Sequence, residues 1–233
     1  MTFEVLYEQD DFLVIDKPVG LGMHQEGEQP GVVTLLSQQR QNQPLWPVHR
    51  LDKVTSGALL LAKHADAAAA LSSRFAERKV EKYYLALADK KPNKKQGAVI
   101  GDMQKARRGQ WKLLPSKQSP AISQFFSSGL GNGLRLFVVK PHTGKTHQIR
   151  VMLKSLGSPI LGDTLYAGTP ADRTYLHAMT LRFEYGGEQH QIVSQPKIGM
   201  HFIDPLCQQA IASFQPPWEL PWPQLPARRK SYD

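Results

Sequence analysis

The stretch ALLLAK, Ala58 to Lys63, holds five apolar residues in a row before its lysine, directly after a glycine. It is too short for a helix with a face of its own and lacks the alternation of a half-exposed strand, so it reads as a strand buried on both faces. Such a strand needs packing above and below it, which ties the chain to a layered core. Other elements follow from pattern. Phe3, Val5 and Tyr7 alternate onto one face, and a polar EQDD turn leads to the apolar run FLVI, closed by Asp16-Lys17-Pro18. These two segments form a β-hairpin. ADAAAALSSRFAERK places Ala68, Leu71 and Phe75 at helical core spacing, and YYLALA, AISQFF and LRLFVV read as strands. KTHQIRVMLKSLG reads as a helix with a polar first turn, Ile149, Leu153 and Leu156 on its core face, and Gly157 as its stop. TYLHAMTLRFEY and EQHQIV flank Gly186-Gly187 as a hairpin, and Asp204-Pro205 opens a short helix. Strands and helices mix without the strict alternation of a parallel sheet, which makes the fold class α+β.

Composition narrows the class further. At 233 residues the chain fits one large domain, 1–233, with a Pro/Trp-rich tail from about Gln215. The lone Cys207 leaves no intramolecular disulfide, which suits a reducing, cytoplasmic setting, and no segment reads as a membrane span or signal peptide. Of the net charge of +9, nearly all falls on the basic segment at about 90–117, where nine Lys and Arg face Asp102 alone. Lys105, Arg107 and Arg108 stand there around Trp111, as a loop or weak hairpin suited to a phosphate backbone.

Two nucleotide signatures fail on inspection. GKT at Gly144 to Thr146 lacks the glycine five positions earlier, where Val139 stands in a strand, and GLGNGL at Gly129 to Leu134 precedes a strand and reads as a hairpin turn. No histidine pair has metal-ligand spacing with a matching carboxylate. What stands out is HRLDKVTSG, His49 to Gly57, where Asp52 lies between Arg50 and Lys53 and is thereby held as a carboxylate. His147 and Arg150 lie three apart at the later helix start, and Tyr83 and Tyr84 lie on a strand. A buried guanidinium needs an anion, so Asp52 is the expected partner of Arg150.

HRLDKVTSGALLLAK resembles the central motif of the RluA-type RNA pseudouridine synthases. EKYYLAL, PHTGKTHQIRVML, SPILGDTLYAG and LHAMTLRF resemble that family's later blocks in the same order, so the resemblance runs from about Phe12 to Phe183. It implies a mixed, largely antiparallel sheet with flanking helices and a central active-site cleft. It also implies isomerisation of uridines in RNA, with Asp52 as catalytic aspartate, Tyr84 as active-site tyrosine and Arg150 as the arginine paired to the aspartate. His49, Arg50, Thr55, His147, Lys105, Arg107 and Arg108 are the expected substrate-binding residues. No metal, nucleotide or redox cofactor is implied. The expected partner is a ribosomal or transfer RNA stem-loop, met by a monomer. Met152 stands where the family usually has a histidine, and no S4-like RNA-binding domain precedes the core. An inactive RNA-binding relative would be expected to lack Asp52, Tyr84 or Arg150, and all three are present. A glycoside hydrolase would need a second carboxylate, which does not stand out.

Overall fold

The computed structural model describes residues 2–225; the last part of the tail expected from Gln215, residues 226–233, lies outside the described residues. The chain opens with the hairpin β1 (Glu4–Glu8) and β2 (Phe12–Lys17), then α1 (Val32–Gln39). The short β3 (Trp46–Pro47) leads through the Asp52 turn into β4 (Ser56–Ala62), followed by α2 (Ala65–Ala76) and β5 (Glu81–Ala88). Next come β6 (Gln96–Lys105), β7 (Trp111–Leu114), β8 (Ala121–Gly131) and β9 (Leu134–Pro141). Then α3 (Gln148–Ser155), β10 (Leu176–Tyr185), β11 (Glu188–Val193) and α4 (Pro205–Ser213) complete an α+β fold. No helix among the described residues is long and apolar enough to cross a membrane.

All strands join one mixed sheet in the order β1-β2-β4-β10-β5-β9-β8-β6-β7, with β3 on β4 and β11 on β10. Among the described residues one pairing is parallel, β4 with β10, and it sits at the middle, where Ser56 and Gly57 face His177 and Ala178. β4 diverges after these two residues, and β11 takes over the same edge of β10 from Thr180 onward. The sheet thus forks just beyond the Asp52 turn. On β2 and β4, Leu13, Ile15, Leu59 and Leu61 enter the larger core. Phe12, Val14, Ala58, Leu60 and Ala62 enter a second core under α2. That double burial is the reason for the unbroken apolar run.

The structure revises two expectations and decides a third. A register shift between Val5 and Tyr7 breaks the first strand's alternation, so these two residues pair with the adjacent Ile15 and Val14 and no longer share a face; Val5 is exposed. The later helix begins only at Gln148, because His147 adopts a left-handed conformation (φ 57°) and turns the chain ahead of it. Of the two readings of the basic segment, loop or weak hairpin, the structure has the hairpin, and a firmer one: β6 pairs with β8 in the main sheet and then with β7, so that Arg107 and Arg108 cap the turn. As read, the GLGNGL segment is a two-residue turn, with Asn132 and Gly133 both at positive φ. The described part of the tail belongs to the fold, since Trp222 packs on Tyr83 and Phe126, and the Pro223 carbonyl accepts from the Gln124 side chain.

Gly57 makes the central seam possible. It combines φ of +110° with so close an approach to β10 that a Cβ would overlap the backbone of Ala178. Gly57→Ala is expected to cost about 3 kcal/mol or more, lowering the melting temperature by roughly 6 to 12 °C for a domain of this size. Thermal unfolding followed by circular dichroism checks it.

Candidate active site

Asp52 sits on a tight turn, its carbonyl accepting from the Thr55 amide at 2.9 Å. Two bonds hold the turn from behind. The Gly20 amide donates to the Lys53 carbonyl (2.8 Å), and the buried ammonium of Lys17 donates to the carbonyls of Thr55 (2.8 Å) and Pro18 (2.9 Å). Burial pushes Lys17 down to about 8, and the charge of Asp52 works against that fall. The hairpin end at Lys17-Pro18 therefore fixes where the Asp52 backbone lies. Thr55 itself is buried, and its contribution in the fold is this backbone geometry.

Arg150 approaches from the first turn of α3, and here the pairing expected from sequence needs correcting. Its main partner is Asp163: Nε donates to Oδ2 at 2.7 Å and Nη2 to Oδ1 at 2.8 Å, with both side chains buried. Asp52 lies 3.6 Å from the remaining nitrogen, Nη1, as an ion pair without a close hydrogen bond. Burial opposes the charge of Arg150, yet Asp163 and Asp52 together raise its pKa, so it stays a guanidinium. The fork geometry of arginine allows this, with one edge saturated by Asp163 and a corner left toward Asp52. Asp163 lay within the SPILGDTLYAG block but had no assigned role. The usable signal was a buried arginine in need of two acceptors.

Tyr84 is buried on β5, between Ala178 of β10 and Val139 of β9. Burial first, and then the charge of Asp52, push its phenol well above the ordinary range, so it stays neutral. His147 and Arg150 share Tyr166. The Tyr166 hydroxyl accepts from the Trp111 amide (2.9 Å) and shares a hydrogen bond with His147 Nδ1 (2.8 Å), while the Arg150 guanidinium lies 4.9 Å from the ring centroid. Burial and the neighbouring Arg150 lower the pKa of His147, keeping it neutral. Met152, where a histidine was expected, is simply part of the core.

Asp52, Tyr84, Arg150, His147, His49 and Arg50 all line one cleft of about 590 Å³, together with Thr55. The cations Arg50, Arg78, Lys82, Lys140, Lys145 and Arg150 outnumber its two carboxylates, Asp52 and Glu81. His49 faces the fold as well as the cleft: its Nε2 accepts from the Leu60 amide (3.0 Å) and its ring stacks on Phe75 at 4.5 Å. Arg50 is exposed at the rim. Lys105, Arg107 and Arg108 are exposed on the hairpin and do not line the cleft. The hairpin is moored beside it, because Trp111 bonds Tyr166 and Gln110 Nε2 donates to the Leu165 carbonyl (2.8 Å).

Comparison with known proteins gives a consistent result. Residues 11–155 match the family model described as RNA pseudouridylate synthase. An RNA pseudouridine synthase of Haemophilus influenzae is 50% identical over 207 residues, covering 88% of this chain and 92% of its own. The tRNA pseudouridine synthase C of Haemophilus ducreyi is 30% identical over 210 residues, covering 79% and 86%. Among solved structures, human RNA pseudouridylate synthase domain containing 1 is similar with a TM-score of 0.70 and 26% identity, over 84% of each chain.

Two histidines flanking the Asp52 motif give a pH dependence. Burial depresses His49 from 6.5 to about 3, and His177, held between Ser56 Oγ and the Ser194 carbonyl, to about 4. The unfolded chain takes up these protons first on acidification, so their contribution to stability is complete above pH 6.5 and is lost as pH falls from there toward 4. His49→Gln, which keeps an acceptor, is expected to flatten the fall in melting temperature across that window. An unchanged slope would contradict the assignment.

Proposed function

Because the chain belongs to the RNA pseudouridylate synthase family, and is an isomerase converting uridine in RNA to pseudouridine, we propose that Asp52 is its catalytic carboxylate, with Arg150 and Tyr84 completing the reacting centre. The observation that carries the reading is the convergence of these three side chains in one cationic cleft.

The reaction breaks the bond between ribose C1′ and uracil N1, turns the base, and joins C1′ to C5; the C5 proton leaves and N1 gains one, so atoms and electrons balance within the nucleoside. The atoms concerned lie within a stacked nucleotide, so the target is flipped into the cleft. Asp52 acts there on the nucleoside as nucleophile or base. Arg150, held by Asp163, keeps the carboxylate aimed and compensates its charge. Tyr84, neutral and rigid in the sheet, offers its ring to the uracil. The exposed cations Lys105, Arg107, Arg108 and Lys112 of the hairpin, moored through Tyr166, grip the phosphates of a ribosomal or transfer RNA stem-loop outside the cleft. Arg50 contacts RNA at the rim. The protein works in the cytoplasm as a monomer.

Carbodiimide mapping of pseudouridine in total RNA from a deletion strain, with and without the purified protein, tests this directly. Wild-type protein is expected to restore specific sites, and Asp52→Asn to restore none while still binding RNA. In the same panel, changing the four hairpin cations to Gln is expected to weaken binding across sequences and flatten its salt dependence by up to ~0.7 to 0.9 slope units per lost contact. Restoration by the Asp52 variant, or an unchanged salt slope for the hairpin variant, would refute the corresponding assignment.

A further inference from the structure

Lys82 is a half-buried cation of the cleft to which the fold gives no counter-charge among the described residues. It lies on β5 two residues before Tyr84, so both side chains leave the same face of the sheet, about 7 Å apart along the strand. Both line the cleft. Among the described residues no carboxylate lies within ion-pair distance of Lys82 or of Arg78, and no hydrogen-bond acceptor is within reach of the Lys82 ammonium. Glu81, the nearest carboxylate in sequence, is taken by Lys140 (2.6 Å), Arg182 (2.9 Å) and the Tyr83 hydroxyl (3.1 Å). Asp52 belongs to Arg150.

The surroundings of Lys82 supply no negative charge either. Its ammonium rests 5.9 Å from the centroid of Phe75, whose ring is stacked on His49. His49 and His142 are both kept neutral by burial, with Lys82 adding to the effect on each. Arg78, which also lines the cleft, lowers the pKa of Lys82 further, after burial itself. Across the gap, Gly144 comes so near that a Cβ on it would touch the ammonium, at 4.0 Å. Lys82 is half-buried and Arg78 exposed at the cleft mouth, so two like charges face one space with no counter-ion between them, and a bound anion would relieve their repulsion.

Resting on the functional reading above, we propose that Lys82 and Arg78 form a phosphate subsite inside the cleft, taking a backbone phosphodiester next to the flipped nucleotide. The spacing from Tyr84 suits it, since one pleat repeat matches the reach from a nucleobase to its own backbone. An ammonium is a compact charge with three rotatable donors, apt for a phosphate whose orientation is fixed by neighbouring contacts. The subsite differs from the hairpin cations in lying beside the reacting centre, so it acts on the placement of the target nucleotide and not on the grip of the RNA as a whole.

The test uses the full chain carrying Asp52→Asn and a fluorescein-labelled heptauridylate as probe. Adding Lys82→Met, which keeps the aliphatic stem, is expected to raise Kd by roughly tenfold and cut the salt slope by about 0.7, the loss of one phosphate contact on a single strand. Arg78→Gln should act in the same direction. Lys79→Gln, an exposed lysine in the same turn already paired to Glu77, makes the same charge change and should alter neither. Removal of an unsatisfied cation should leave the melting temperature of Lys82→Met equal to the parent's or higher. Unchanged Kd and slope, or a lower melting temperature accompanying weaker binding, would overturn the subsite. Wild-type protein that forms no pseudouridine in total RNA would instead overturn the functional reading, so the two failures are distinguishable.

Discussion

The site depends on a buried arginine with two carboxylates. Removing Arg150 and Asp163 from water carries a desolvation cost of several kcal/mol per ion, recovered only with near-ideal geometry. The two parallel bonds at 2.7 and 2.8 Å provide it. Asp52 is then free of the need to neutralise Arg150 and stands at 3.6 Å, close enough to feel the charge and free enough to face the cleft. An arginine paired with Asp52 alone would bind it tightly and block it. The division of labour between Asp163 and Asp52 is therefore what leaves the Asp52 carboxylate beside a guanidinium and still accessible from the cleft.

The rest of the fold brings these groups together from distant parts of the chain. Asp52 is delivered by the turn before β4, Tyr84 by β5 and Arg150 by α3, and the sheet order sets β4, β10, β5 and β9 side by side. Because β4 leaves β10 after Gly57, the sheet opens at the level of the Asp52 turn. The Lys17 ammonium and the Gly20 amide, both donating to backbone carbonyls, close that turn from the opposite side. A turn, a strand and a helix thus each bring one of these side chains to the cleft, and the hairpin that extends from the sheet presents the exposed cations Lys105, Arg107, Arg108 and Lys112.

Much of this was legible in the sequence because it rests on local pattern. The doubly buried β4, the glycine-turn hairpins and the Asp204 cap of α4 follow from apolar period and turn chemistry. The cluster of Asp52, Tyr84 and Arg150 followed from motif resemblance. What escaped was long-range or conformational. Asp163 pairs with Arg150 through a loop whose path no periodicity encodes, and the left-handed His147 shifted the helix start by three residues. The bulge that separates Val5 from Tyr7 is a register event invisible to alternation. The basic segment read as a loop or a weak hairpin, and its glycines and charges hid that β6 also pairs with β8.

The central claim is that Asp163 acts on the chemistry through Arg150, as a positioning residue for Asp52. It is tested most directly by single-turnover pseudouridine formation with Asp163→Asn, at a temperature where the variant is folded, alongside heptauridylate binding. The account predicts a rate constant lower by about 100-fold, the scale expected when a reacting group shifts by ~1 Å, with Kd little changed. A wild-type rate constant in the folded variant would contradict it.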